Sequence, residues 1–429
     1  MHIGIYINNE NISGVDCSDM MKGNPGVGGT EYCLLLLAQT YKEFFPENKL
    51  TLFATKEGKL PTVDSIVTVE GLNILCEKAA KENVDVLVVS AVYNNMPLPK
   101  SFFEAIDKMQ IKTILWGHNF YLSDFCNLVS KTQYLRANVF VGRQQYDRYV
   151  DHKVIKKSTF IYNMYPEEKD GGRNAISNHS VTYIGALVPT KGFHFLANAW
   201  KNILEIVPDA QLNVIGSGKL YGRNYKLGKY GIAEESYEKK FMPGLVNDRG
   251  EILPSVHFWG VLGAEKKEVI KLTSVGVVNP SGRTETFGIS ALDFESLGVP
   301  VVTIAKGGFL DTVIDGRTGL LYHNTADLAD CVTQLLCDRE KNVRFGQEGI
   351  RLAASFAPQT MISEWHALFE KVCHDEKLPY KKPDSFMKTN LKWLRCANRA
   401  VKEFLHLEYP MSVIGLESFA RNVLRRVGK

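Results

Sequence analysis

Two carboxylates stand eight residues apart in the stretch NPSGRTETFGISALDFESLGVPVV, Asn279 to Val302: Glu285 and Asp293. At about 100° per residue, eight helical positions leave two side chains within about 80° of each other. Glu285 precedes the apolar helical pattern and reads as part of the turn before it. From there a carboxylate can accept hydrogen bonds from hydroxyls, while Phe287, Gly288 and Ile289 present backbone N–H groups to phosphate or sugar oxygens. The same residues also describe an ordinary capped amphipathic helix, with Ser281 or Thr284 as cap and Glu285 as a favourable first-turn charge. Spacing alone favours this second reading.

Four further strings carry candidate chemistry. In GALVPTKGF, Gly185 to Phe193, Lys191 sits beside Gly192 before a helix, which suits a cation aimed at a phosphate oxygen and equally suits a solvated lysine. In VIGSGKLYG, Gly216 and Gly218 permit close approach of backbone or nucleotide, or simply form a turn. The loop NPGVGGTEY, Asn24 to Tyr32, places Gly28 and Gly29 where a helix begins, and free N–H groups there can hold an anion. His118, in WGHNFY, follows a strand and can hydrogen-bond a hydroxyl or exchange a proton near neutral pH.

These strings are positioned by a regular alternation. Apolar runs HIGIYI, KLTLFAT, VDVLVVSAV, KTILWGH, NVFVGR and STFIYN are separated by helical patterns such as EYCLLLLAQTYKEFF, the rhythm of βαβ units on a parallel sheet. The rhythm pauses at residues 166–180, PEEKDGGRNAISNHS, which read as a linker. It restarts with VTYIGAL, QLNVIGSG, SVHFWGVL, SVGVVNPS and VPVVTIAKGG. The expected organisation is α/β: a Rossmann-like domain over 1–165, a second over 181–360, helices at 361–378 returning to the first domain, and a basic helical tail at 379–429. Ligands of open α/β sheets bind beyond the carboxyl ends of the strands, so two such sheets facing each other would enclose one site.

The chain has 429 residues, 45% hydrophobic and 23% charged, ordinary values that exclude a disordered or fibrous protein. It has no run approaching the roughly 18 apolar residues of a spanning helix and no signal-peptide pattern, so a cytoplasmic protein is expected. Eight scattered cysteines without a CxxC pair indicate neither zinc nor a disulfide framework. Lys377 to Lys429 holds 12 Lys and Arg against 4 Asp and Glu, a local +8 in a chain of net charge +4. A basic tail on a mildly acidic body suits an anionic membrane surface and not a nucleic-acid footprint across the whole protein. The other reading of the tail is that its helices pack on the first domain and leave Lys and Arg in water.

Taken together, and in order from His2 to about Glu370, these strings resemble the retaining glycosyltransferases of the GT-B fold, family 4 or group 1. The most specific part is E-x-F-G, a second acid, then G-x-P-V-V: here Glu285, Phe287, Gly288, Asp293, Gly298 and Pro300. The resemblance implies two facing Rossmann-like domains with a C-terminal helical extension, and transfer of a sugar from a nucleotide-sugar donor, a UDP- or GDP-sugar. It implies catalytic positions for His118, Lys191 and Glu285, with Glu285 on hydroxyls of the transferred sugar, Lys191 on the diphosphate and His118 beside the sugar. Phe287, Gly288 and Ile289 would offer backbone donors, Asp293 would hold the ribose, Gly28, Gly29, Gly216 and Gly218 would let backbone approach the donor, and Gly260, Val261 and Leu262 would meet the base.

Two positions depart from the family pattern. Asp293 replaces the usual Glu and can still accept two hydroxyl bonds. Ala186 stands where an arginine would neutralise the diphosphate, a loss of about 1.5–3 kcal/mol unless another residue, such as Arg283, supplies the charge. In such an enzyme the leaving phosphate draws the acceptor's proton, so no metal or other cofactor is required, and no DxD triplet stands out to hold one. The acceptor implied is a growing surface polysaccharide (capsule, exopolysaccharide or lipopolysaccharide) or a lipid-linked oligosaccharide. A non-catalytic nucleotide-sugar-binding partner of another transferase is the alternative that Ala186 favours. A Rossmann dehydrogenase is disfavoured because neither glycine loop forms GxGxxG with an acid about 20 positions on.

Overall fold

The computed structural model describes residues 1–166, 173, 178–218, 226–407 and 411–427. Most of the expected linker and Lys219 to Gly222 of the VIGSGKLYG string therefore lie outside the described residues, as do 408–410 and 428–429 of the tail. The chain forms two compact units, one of Met1–Met164 with the chain from Pro358 onwards, the other of Tyr165–Ala357.

The first unit is built on seven parallel strands: β1 (His2–Ile7), β2 (Lys49–Ala54), β3 (Ser65–Thr68), β4 (Val86–Ser90), β5 (Thr113–Gly117), β6 (Leu135–Phe140) and β7 (Ser158–Phe160), in the order β3-β2-β1-β4-β5-β6-β7. Every residue of β1, β4 and β5 is buried, as expected of parallel strands covered by helices on both faces. This is why they read as unbroken apolar runs. The helix Gly29–Phe44 buries Leu34 to Ala38 beside β1 and β2. The helix Pro358–Cys373 returns to the same unit, with Trp365 edge-on to Trp116 at 4.7 Å and Phe369 edge-on to Tyr41 at 5.1 Å.

The second unit carries six parallel strands: β8 (Ser180–Ile184), β9 (Gln211–Ile215), β10 (Val256–Gly260), β11 (Val275–Val278), β12 (Val301–Ile304) and β13 (Gly319–Tyr322), in the order β10-β9-β8-β11-β12-β13. Val181, Tyr183, Leu212, Val214 and Val277 pack with Trp200 of the helix Phe193–Ile206 to form its larger core. In both sheets the order reverses at the first strand of the unit, the Rossmann arrangement whose ligand crevice lies beside that strand's carboxyl end.

The tail packs on the first unit, as one of the two readings expected, but several of its cations are buried there and not left in water. The helix Lys392–Phe404 packs on the first unit through its charged side chains, and Val413–Val427 through Val413, Ile414 and Glu417. Lys392 is 0% exposed, 2.8 Å from Asp147 and 3.1 Å from Gln144. Buried Arg395 pairs with Asp151 and Glu417, and Lys402 donates to the Asp151 carbonyl at 3.1 Å. The cause lies in the sheet domain, which buries Asp147 and Asp151 and must supply them with counter-charges. All eight cysteines are free thiols, four of them buried. Among the described residues no helix is long and apolar enough to cross a membrane.

Candidate functional site

Three loops meet beyond the carboxyl ends of β8, β11 and β12, which are neighbours in the second unit's sheet. After β8 the chain makes a single 3₁₀ turn, Pro189–Lys191, then enters the helix Phe193–Ile206 through Gly192. Gly192 adopts φ +71°, and a Cβ there would lie 2.6 Å from the backbone nitrogen of Ser281. Glycine is thus what lets the first loop lie against the second. Ser281 fastens them, its hydroxyl donating to the Thr190 carbonyl at 2.5 Å and accepting from the Arg283 N–H at 3.0 Å.

That contact brings Lys191 to Glu285. The Lys191 ammonium stands 2.9 Å from Glu285 Oε2, and Asn279 Nδ2 donates to the same oxygen at 3.1 Å. Glu285 Oε1 accepts the Gly288 N–H at 3.1 Å, and the Glu285 carbonyl accepts the Gly308 N–H, also at 3.1 Å. Glu285 lies in the turn before the helix Ile289–Glu295. Burial works against its charge, but Lys191, Asn279 and the Gly288 N–H more than offset it and hold the carboxyl below its ordinary range. The arrangement is an ionised carboxylate and an ammonium fixed side by side at the end of a sheet, able to accept from hydroxyls and to donate to an anion.

The remaining positions fall out differently. The Asp293 carboxylate is already engaged, taking Lys266 Nζ at 2.8 Å and the Tyr165 hydroxyl at 3.1 Å. The Gly288 N–H is spent on Glu285, and the Phe287 side chain is buried edge-on to Phe356 at 5.3 Å, while Ile289 opens the helix half-buried. Gly216 has φ +140°, and a Cβ there would lie 2.0 Å from the Gly185 carbonyl oxygen; one on Gly218 would lie 2.7 Å from Ala233 Cα. Close packing of the protein's own backbone therefore accounts for both glycines. Gly260 ends β10, Val261 is exposed and Leu262 half-buried. Ala186 is buried, and Arg283 is exposed; its charge reaches His194, whose imidazole pKa is lowered by burial, Lys240 and Arg283.

His118, Gly28 and Gly29 belong to the first unit. His118 follows β5, with its ring 4.6 Å from that of Trp116, and burial pushes its pKa down to about 3. It is a neutral imidazole near neutral pH, suited to hydrogen bonding more than to proton exchange. Gly28 caps the helix Gly29–Phe44, and the Glu31 carboxylate lies beside it, so this helix start already has an anion next to it.

Sequence reasoning missed Asn279, Gly308 and Lys266. Asn279, at φ +30° and buried, opens the NPSG turn directly after β11, a recognisable turn signal. The KGG string after β12 was equally visible. Lys266, 27 positions from its partner, carries no local signal.

Residues 178–338, which contain the whole of this cluster, match the family model for glycosyl transferases group 1. The D-inositol 3-phosphate glycosyltransferase of Corynebacterium aurimucosum is 28% identical over 180 residues, 41% of this chain and 39% of that protein. An uncharacterized glycosyltransferase of Methanocaldococcus jannaschii is 26% identical over 192 residues, 44% of this chain and 47% of that protein. The chain thus spans less than half the length of these curated relatives. Among solved structures, Anabaena HepE in complex with UDP-glucose superposes with a TM-score of 0.62 at 15% identity, over 86% of this chain and 100% of that one. Sucrose-phosphate synthase from Thermosynechococcus elongatus gives 0.63 at 15% identity, over 87% and 99%. The fold is that of the GT-B glycosyltransferases, two Rossmann-like parallel sheets with their helices.

Proposed function

We propose that this protein is a glycosyltransferase that moves a sugar from a nucleotide-sugar donor, a UDP- or GDP-sugar, to a glycan or lipid-linked oligosaccharide, with retention of anomeric configuration. The observation that carries the reading is the Lys191–Glu285 pair at the strand ends of the domain matched by the group 1 family model. Support for a nucleotide-sugar donor comes from the UDP-glucose named in the HepE complex.

In this reading the ammonium of Lys191 turns to the diphosphate, and Glu285 keeps the transferred sugar oriented through its hydroxyls. The bond from the anomeric carbon to the phosphate oxygen breaks, a bond from that carbon to the acceptor oxygen forms, and the acceptor's proton passes to the departing phosphate. The protein's share is positioning and stabilisation of the leaving charge, with no metal or other cofactor. Asp293 receives the ribose by exchanging its bond to Lys266 or Tyr165, and His118 hydrogen-bonds the sugar as a neutral imidazole. The place of work is the cytoplasm, in the synthesis of a surface polysaccharide.

Ala186 supports a second reading, a nucleotide-sugar-binding partner without turnover, because the methyl group leaves the diphosphate short of one cation. Arg283 is the substitute in the first reading. A panel of UDP-, GDP-, dTDP- and ADP-sugars separates the two, with nucleotide release measured with and without acceptor, in EDTA, beside Glu285→Ala. Release from one donor that survives EDTA and vanishes in the variant supports the transferase. Donor binding without release favours the partner.

A further inference from the structure

The first of the two C-terminal helices is amphipathic in the inverted sense. On Lys392–Phe404 the stripe Lys392, Arg395, Arg399 and Lys402 faces the protein, three of the four fully buried, whereas Trp393, Ala397, Ala400, Val401 and Phe404 are exposed. The exposed set follows the i, i+4, i+7, i+8, i+11 spacing of a single helix face. Val413–Val427 shares the outward apolar face: Val413, Ile414 and the paired Glu417 lie inward, and Leu416, Phe419, Ala420, Val423 and Leu424 are exposed. Trp393 is 53% exposed, Phe404 83%, Phe419 69% and Leu424 72%. Apolar faces turned outward in this way mark interaction sites more often than ordinary surface.

The inversion is held in place by the fold. The Asp151 carboxylate accepts the Val413 N–H at 2.6 Å and Asn398 Nδ2 at 2.8 Å, so one buried side chain fixes both helices. Glu417 adds bridges to Arg395 and, at 2.6 Å, to Arg148. On Lys392–Phe404 the cations that would ordinarily keep such a helix in water are consumed inside, and both helices leave apolar stripes outward.

We propose that these two helices are an interfacial docking face that seats the protein on a bilayer containing anionic lipid, with Trp393, Phe404, Phe419 and Leu424 entering the headgroup–acyl boundary. Charge complementarity selects the bilayer over a second copy of the chain. Among the described residues from Lys382 to Leu424 the exposed charges are Lys382, Lys388 and Arg421 and the acid Glu403, which is paired with Arg399. A two-fold partner would bring those cations together, whereas an anionic surface neutralises them. This differs from an electrostatic tail: attachment comes mainly from apolar insertion, because Lys392, Arg395 and Lys402 are buried. It does not depend on the transferase reading.

The test is flotation of the full-length protein with vesicles of phosphatidylcholine, alone or mixed with phosphatidylglycerol, at low and high salt. The expected result is co-flotation with the mixed vesicles that largely survives high salt. Phe404→Ser with Phe419→Ser and Leu424→Ser lowers partitioning by at least about tenfold, with the circular dichroism spectrum and the light-scattering mass unchanged. Lys388→Glu with Arg421→Glu removes the preference for phosphatidylglycerol. Brominated phosphatidylcholine in the mixed vesicles, which needs no altered helix face, quenches a fluorescence component that Trp393→Phe abolishes. Wild-type protein that stays in the aqueous layer overturns the proposal, as does equal flotation of the triple variant. A wild-type dimer that becomes monomeric in that variant would assign the face to a second copy instead.

Discussion

The Lys191 ammonium and the Glu285 carboxylate lie 2.9 Å apart although 94 positions separate them in the chain. Neither is free to be optimised alone. Lys191 sits in a 3₁₀ turn held to the Glu285 loop by Ser281, and Glu285 has further bonds from Asn279 and the Gly288 N–H, so the pair is fixed from both loops.

If the proposed function holds, Glu285→Gln and Lys191→Met should each lower donor turnover by at least about 100-fold, since each removes a preorganised group at the proposed site. The double variant should fall well short of the product of the two losses, because the groups act as a unit. Steady-state nucleotide release across the four proteins checks this, and multiplicative losses would mean the pair is not a functional unit.

His118 gives the first unit an acid-sensitive component. Its pKa falls from 6.5 to about 3 on folding, through burial. Between those values the unfolded chain holds a proton that the native chain lacks, so native stability decreases as pH falls through that window, by up to about 1.4 kcal/mol per pH unit. Urea unfolding followed from pH 7 to pH 4 should therefore steepen in the wild type relative to His118→Gln. Parallel curves would remove His118 from the account.

Gly216→Ala should destabilise the second unit by about 2–4 kcal/mol, because φ +140° and the Gly185 carbonyl 2.0 Å from the added carbon both oppose the methyl group. For a unit of this size that is a drop in Tm of about 5–10 °C. Calorimetry reads it directly, and an unchanged Tm would show that the β8 and β9 loops can separate at little cost.

Lys392→Met leaves Asp147 buried without its ammonium partner and should cost about 3–5 kcal/mol. Lys392→Met combined with Asp147→Leu should recover part of that loss, since the fully buried carboxylate is gone while the less buried Asp384, the ammonium's second partner, still lacks its cation. Chemical denaturation of the three proteins tests this. A double variant no more stable than the single would point to packing in place of charge.

Local sequence determined the strand ladder and where chemistry could stand. Fully buried parallel strands such as β1 and β4 write themselves as apolar runs, and glycine, lysine and carboxylate positions after those runs mark the loops at the strand ends. β3 and β13 were not legible, because four-residue edge strands are stitched mainly by pairing to one neighbour, and in SIVT Ile66 and Thr68 are exposed while the other two are half-buried. What the tertiary structure alone decided is which charges meet. Lys191 with Glu285, Lys266 with Asp293 and Lys392 with Asp147 are separated by 94, 27 and 245 positions, and periodicity within one segment says nothing about a partner in another. The same holds for the tail: its composition announced basic helices, but whether the cations or the aromatic rings faced water depended on two aspartates buried far upstream, whose cost is relieved only by ions brought to them in the fold.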